Sequence, residues 1–270
     1  MNTKPSLKKA LAAAAKAARA VGVLMRRNLR NSKSVNSQTQ HDIKLELDVR
    51  SQKLIERTLN RAFPSVPLLG EEGSAGDTEA DYRWVVDPID GTVNFSYGIP
   101  HACVSIAMQE RASGVRGRVS GEEYQTVVGV VYDPFTDELW TAVEGQPARL
   151  NGMGIHVSRR SELSETIVGT GFSKSKEDLE ESLPYFNHMV GRVRKMRIMG
   201  AAALSAVYVA TGRFDAYVER NLSLWDIAAG GFIVECAGGE FWREPAPGEY
   251  KYRVVFSNGL VRQKITEGWR

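Results

Sequence analysis

Residues 84–95 read Trp84-Val85-Val86-Asp87-Pro88-Ile89-Asp90-Gly91-Thr92-Val93-Asn94-Phe95. The first three form a short apolar run of the kind buried in a sheet, and the run stops on a carboxylate. Pro88 fixes a turn between Asp87 and Asp90, so both carboxylates can face one point. Gly91 and Thr92 then open a helix, whose free N–H groups and Thr hydroxyl suit a phosphate. Apolar run, acidic turn and helix start follow in the order by which α/β folds build a site at a strand end.

Working outward, Leu68-Leu69 runs into Gly70-Glu71-Glu72-Gly73, and Leu224-Trp225 runs into Asp226. Upstream, Asp42, Lys44, Glu46 and Asp48 alternate with Ile43, Leu45 and Leu47. That period of two predicts an extended segment closed by Asp48, with a helix starting at Asp48 or Ser51. Any one of these acidic groups, taken alone, reads as a solvated turn, and Asp226 on position alone reads as an N-cap. Gathered together, they would repel and raise one another's pKa unless cations sat between them. Hard divalent ions suit all-oxygen ligands, and Mg²⁺ suits a site where phosphate and water complete the shell.

Composition narrows the class. The chain has 270 residues, 43% hydrophobic and 25% charged, which is ordinary for a globular protein. No run of about eighteen apolar residues occurs, so no membrane span is expected. Its two cysteines, Cys103 and Cys236, lie in apolar runs without metal spacing and read as buried thiols of a cytoplasmic protein. Four scattered histidines argue against a zinc site.

The net charge of +3 hides an asymmetry. Residues 1–41 carry nine Lys/Arg and no acid, leaving 26 basic against 32 acidic groups in the rest. Such a start resembles a targeting peptide or a nucleic-acid-binding arm. Leu7, Leu11, Ala14, Ala18, Val21, Met25 and Leu29 nevertheless recur at helical spacing, which predicts a structural first helix.

Further along, Asn31–His41 reads as a loop, and a helix carries Leu54, Ile55, Leu59, Ala62 and Phe63 before Pro64 and Pro67. Strand signals stand at Ala102–Met108, Val127–Tyr132, Glu138–Ala142, Asp215–Val218 and Val254–Phe256. Arg111–Glu123 reads as a long hairpin loop, and helices are expected around Ala202–Ala210 and from Asp226 to about Cys236. The mixture without linker or repeat predicts one compact layered α/β unit over 1–270, with a soft internal boundary near 145–165.

The stretch WVVDPIDGTVNF, with GEE before it and LWDIAAGG far downstream, resembles the inositol monophosphatase family of Mg²⁺-dependent, lithium-sensitive phosphatases. Asp42 with Asp48, residues 145–152, residues 209–212 and Glu219 extend the resemblance along nearly the whole chain. It implies an αβαβα sandwich of the inositol monophosphatase and fructose-1,6-bisphosphatase type, commonly dimeric. The metal ligands, for two or three Mg²⁺ ions, would be Glu71, Asp87, the Ile89 carbonyl, Asp90 and Asp226, with Glu72 and Asp48 holding waters or a weaker third ion. The phosphate would rest on Gly91 and Thr92, while Thr92 and Asp48 orient the water that Glu71 helps polarise. Substrate hydroxyls would meet Gly200, Ala201, Ala202, Glu219 and Asp226.

Departures from the family pattern are Lys44 and Glu46 near Asp48, Val93 for a usual Thr, and Ala201 for a usual Ser or Thr. The lost hydroxyl at Ala201 predicts weak discrimination among small polyol phosphates, and an Ala201→Ser change that favours inositol phosphate. Fructose 1,6-bisphosphate, histidinol phosphate and 3′-phosphonucleotides remain as substrate alternatives. Haloacid-dehalogenase phosphatases are disfavoured, because they need Asp-x-Asp where this chain has Asp-x-x-Asp. An added role with nucleic acid or the transcription machinery, known among bacterial members, stays open for the basic N-terminal helix.

Overall fold

The computed structural model describes residues 4–31, 35–38, 43–112, 123–172 and 175–269, with the backbone alone at 35–38 and 43–44. Asp42, the Lys44 side chain and most of the Arg111–Glu123 loop therefore lie outside the described residues. The chain opens with α1 (Leu7–Asn28), capped by Ser6, whose hydroxyl accepts from the Lys9 N–H. Its alanine-rich sequence favours helix, and Ala14, Ala18, Val21 and Met25 form its buried stripe.

Strands β1 (Val35–Gln38) and β2 (Ile43–Leu45) pair antiparallel, so part of the expected 31–41 loop is a strand. The alternation around Asp48 stops early. Helix α2 (Glu46–Asn60) begins at Glu46, which places Asp48 in its first turn rather than at a strand end. Next come β3 (Leu68–Gly70), β4 (Gly73–Ala75), β5 (Tyr82–Asp90), the short α3 (Thr92–Ser96) and β6 (Cys103–Arg111). Strands β7 (Tyr124–Asp133), β8 (Glu138–Val143), β9 (Arg149–Leu150) and β10 (Met153–Gly154) complete an eight-stranded sheet in the order β10-β9-β8-β7-β6-β5-β3-β4. Only β3 and β5 run parallel in it; the other neighbours are antiparallel.

The second half contains β11 (Ile167–Thr170), α4 (Lys176–Val190), β12 (Lys195–Arg197), α5 (Ala202–Ala210), β13 (Ala216–Ser223) and α6 (Leu224–Cys236). Strands β14 (Glu240–Pro245) and β15 (Lys251–Ser257) and helix α7 (Arg262–Thr266) follow. Its sheet runs β12-β11-β13-β15-β14. Helix α4 has no counterpart in the sequence reading, because Pro184 interrupts it and its apolar positions are sparse.

Three apolar clusters set the layers. One joins α1 and α2 to the outer face of the large sheet. A second packs α5 and α6 against the large sheet on one side and β13 and β15 on the other. A third lays α4 and α7 on the far face of the small sheet. The order is α, β, α, β, α. Among the described residues no helix is long and apolar enough to cross a membrane.

Candidate active site

The β5–β6 ladder shifts register between Asp87 and Asp90, at Pro88, which has no N–H to give. Asp87 Oδ1 accepts from the Ile89 N–H at 2.9 Å, closing the turn locally. Gly91 follows with φ +87°, a left-handed value at the N-cap of α3. A Cβ there would stand 2.9 Å from the His101 carbonyl oxygen, so only glycine fits. The Thr92 hydroxyl donates to the Ile89 carbonyl at 2.8 Å, and that carbonyl is one of the expected metal ligands.

The Gly70–Gly73 turn is held from α2. Gln52 accepts from the Glu72 N–H at 2.9 Å and donates to the Gly73 carbonyl at 2.8 Å. Asp48 and Asp226 share one device. Each is the third residue of its helix and accepts from the N-cap amide, Leu45 N–H and Ser223 N–H respectively, both at 2.8 Å. Asp226 is therefore not itself the N-cap; Ser223 is.

Asp90 is held by the N-terminus of α5. The amides of Ala202 and Ala203 donate to its two oxygens at 3.1 and 2.8 Å. The 200–202 loop thus also serves Asp90. Ala201 and Ala202 are buried and their segment positions Asp90, while Gly200 alone of the three is exposed. Asn94 ties the two halves together, donating to the His101 carbonyl at 3.0 Å and the Met199 carbonyl at 2.8 Å. Glu219, on β13, accepts from the Tyr217 hydroxyl, and its carboxyl lies over Gly171, so a side chain there would have to displace it.

These residues converge. Glu71 and Asp87 lie within hydrogen-bonding reach of each other, as do Asp87 and Asp226. Burial, then the neighbouring charge of Asp226, raises Glu71 to about 8. Asp48 and Glu72 add to that, which puts both beside the cluster. Burial, then Glu71 and Asp90, pushes Asp87 well above the usual carboxylate range. Asp90 rises to about 6, again by burial, with the α5 amides pulling it back. Asp226 rises to about 7 through burial and the Asp90 charge, and Lys251 opposes the rise. Glu219 reaches about 8 by burial, with Asp226 and Asp90 contributing.

The carboxyls pair with one another, and among the described residues no three His, Cys, Asp or Glu side chains are spread at the spacing of a formed cage. The donor chemistry still fits a hard divalent ion. Four crowded carboxyls, three from the large sheet and one from α6, destabilise each other's charge, and added positive charge relieves that strain.

Gln52, Asn94 and Lys251 were not singled out by the sequence pattern. Asn94 lies inside the quoted stretch, and its proximity to the phosphate turn is the one signal that pointed to it. Lys251 donates to the Ser223 hydroxyl at 2.8 Å from an adjacent strand, which spacing along the chain does not reveal.

Layered sandwich, acidic cluster and the left-handed Gly91 turn go with a family of phosphoric monoester hydrolases. It belongs to the inositol monophosphatase family, whose model matches residues 6–253. It is 40% identical over 234 residues to the Nus factor SuhB of Pseudomonas aeruginosa, covering 84% of this chain and 82% of that protein. Inositol monophosphatase 1 of Solanum lycopersicum is 35% identical over 272 residues, covering 97% and 95%. Extragenic suppressor protein suhB from Bartonella henselae, a solved structure, matches with a TM-score of 0.84 at 31% identity, covering 96% of this chain and 97% of that one.

Proposed function

We propose that the chain is a Mg²⁺-dependent phosphomonoesterase of small polyol phosphates, with inositol monophosphate its foremost substrate. The observation that carries this reading is the cluster of Glu71, Asp87, Asp90 and Asp226 beside the Gly91–Thr92 turn. These carboxylates, with the Ile89 carbonyl, would hold the metal. Bound there, Mg²⁺ supplies a water of lowered pKa and neutralises the attacking and leaving oxygens. The Gly91 and Thr92 amides hold the phosphate at the start of α3. Glu71, Thr92 and Asp48 orient the attacking water. Glu219 and Asp226 receive the hydroxyls of the alcohol, at the exposed Gly200 edge of the site.

Phosphate release from inositol 1-phosphate, 2-glycerophosphate, fructose 1,6-bisphosphate, histidinol phosphate and a 3′-phosphonucleotide tests the reading. Activity on the first two that requires Mg²⁺ supports it. Strict preference for one of the last three assigns a different substrate within the same family. Lithium inhibition, titrated against KCl of equal ionic strength, tests the metal chemistry.

Val93, Tyr97, Ile99 and Ile198 are exposed apolar side chains around α3 and the loop that Asn94 holds. They support a homodimer contact beside the site. Sedimentation of the wild type and of Tyr97→Asp with Ile99→Asp checks it: loss of a dimer in the variant is expected, and a monomeric wild type refutes it.

A further inference from the structure

Helices α1 and α2 lie side by side on the outer face of the large sheet, and their solvent-facing rows are both basic. Along α1 the row includes Lys8, Lys16 and Arg27, with Arg30 in the turn that follows it, and all four are exposed. On α2 it is Arg50, Lys53, Arg57 and Arg61, at intervals of three and four residues. Acids hardly interrupt them. Helix α1 contains none, and of the three on α2, Asp48 is buried in the site while Glu46 and Glu56 remain outside.

Some exposed cations elsewhere reach acids: Arg111 meets Glu123, Arg192 meets Glu267, Arg213 meets Glu138 and Lys264 meets Glu162. On the same face of α1, Arg19 pairs with Asp137 and Arg26 reaches Tyr132 and the Pro134 carbonyl, while these eight cations form no ion pair with a described residue. Eight like charges held on rigid helices repel one another, and an external polyanion removes that repulsion.

The chemistry of the face selects among polyanions. The apolar stripe of α1 is spent on the core, with Ala10, Ala14, Ala17, Val21 and Met25 buried. It is therefore not available to enter a bilayer, as an interfacial helix requires. Val23 is the large apolar side chain exposed on the rows, and no aromatic side chain stands on them. An acidic protein would find no apolar centre to anchor in, and a single strand would find no ring on which to stack its bases. A duplex needs neither, because its affinity comes from phosphates met by Lys and Arg. The α1 row is about 33 Å long at 1.5 Å per residue, the span of about one duplex turn.

We infer that the outer face of α1 and α2 binds the sugar–phosphate backbone of double-stranded nucleic acid without reading its sequence. The site is separate from the carboxylate cluster, so it stands or falls independently of the phosphatase reading.

Fluorescence anisotropy of the full chain with a short labelled duplex at low salt tests it. Binding should be indifferent to base sequence and weaken as salt rises. Lys16→Glu with Arg27→Glu, and separately Lys53→Glu with Arg57→Glu, should each weaken it by about tenfold or more and flatten the log–log salt slope by about two. Reversing the equally exposed Arg194 and Lys195 on β12 should change little. Phosphate release, unchanged in these variants, shows that they are folded. No binding at low salt, equal loss with the β12 variant, or a preference of the same residues for anionic lipid vesicles over duplex would overturn the proposal.

Discussion

Asp87 sits where the requirements of the site conflict most. It is buried, faces Glu71, Asp90 and Asp226, and keeps one oxygen on the Ile89 amide. An Asn keeps that local bond and the volume but removes the charge a bridging ligand must supply. Asp87→Asn should therefore lower phosphate release by about a thousandfold, near 4 kcal/mol of transition-state stabilisation, while circular dichroism stays native. A folded variant retaining a tenth of the activity would remove Asp87 from the metal set. Lys251 acts in the opposite sense, as the cation that holds Asp226 down. Lys251→Met should raise Asp226 further, so the acidic limb of the pH–rate profile moves to higher pH. Lys251→Arg should restore it. Residues such as Asp87 were legible because they end apolar runs. Lys251 was not, since its role depends on the pairing of Ser223 with Lys251 across two strands.

At the level of elements, turn geometry decides which amides would face a phosphate in the proposed reading. Gly91 is left-handed and pressed by the His101 carbonyl and the Ala201 Cβ. Gly91→Ala should cost about 1–2 kcal/mol from backbone strain alone, and more once the neighbours move. The expected readout is a lower Tm together with a raised KM, because the amides that hold the phosphate shift with the turn. A variant with wild-type Tm and KM would argue against that role. Ala201 belongs to the same contact. It is the N-cap of α5, about 2% exposed, with its Cβ against Gly91. A hydroxyl added there would stand beside helix amides already held by Asp90. Ala201→Ser should leave the ratio of inositol 1-phosphate to 2-glycerophosphate hydrolysis within about twofold of wild type, since an N-cap gain acts on the helix. A selective rise for inositol phosphate would restore the substrate contact that the sequence alone suggests. The same locality explains where element boundaries were misread. The alternation of Asp42–Asp48 continues one residue type pattern through a strand end and a helix start, and only the Leu45–Asp48 bond marks the change.

Across the whole molecule, the cluster joins both halves: Glu71, Asp87 and Asp90 come from the large sheet, and Asp226 starts a helix that follows the small one. The layer order was legible because periodicity placed apolar faces on the principal helices and strands, whereas α4, with Pro184 inside it and few buried positions, was not. The shared cluster makes stability itself a function of pH and metal. Glu71, Glu219, Asp226 and Asp90 hold their protons up to about 8, 8, 7 and 6 in the folded chain. Unfolded carboxyls titrate near about 4. Between those limits these groups bind more protons in the folded state, so their contribution to stability is fullest below about 4 and is lost as pH rises toward about 8. The Tm of chelator-treated protein should accordingly fall from pH 5 to pH 8. Divalent ions bound at the proposed site would take the place of those protons, with an apparent affinity that rises as the carboxyls ionise. Added Mg²⁺ should therefore raise the Tm more at pH 8 than at pH 5.5, by a stabilisation of about 2.7 kcal/mol once its concentration reaches about a hundred times Kd. An equal concentration of KCl, adjusted for ionic strength, should not reproduce the shift. A chelator-treated Tm that stays flat or climbs between pH 5 and pH 8, or a Mg²⁺ shift that does not grow with pH, would show that these carboxyls do not share protons and metal in the way their burial requires.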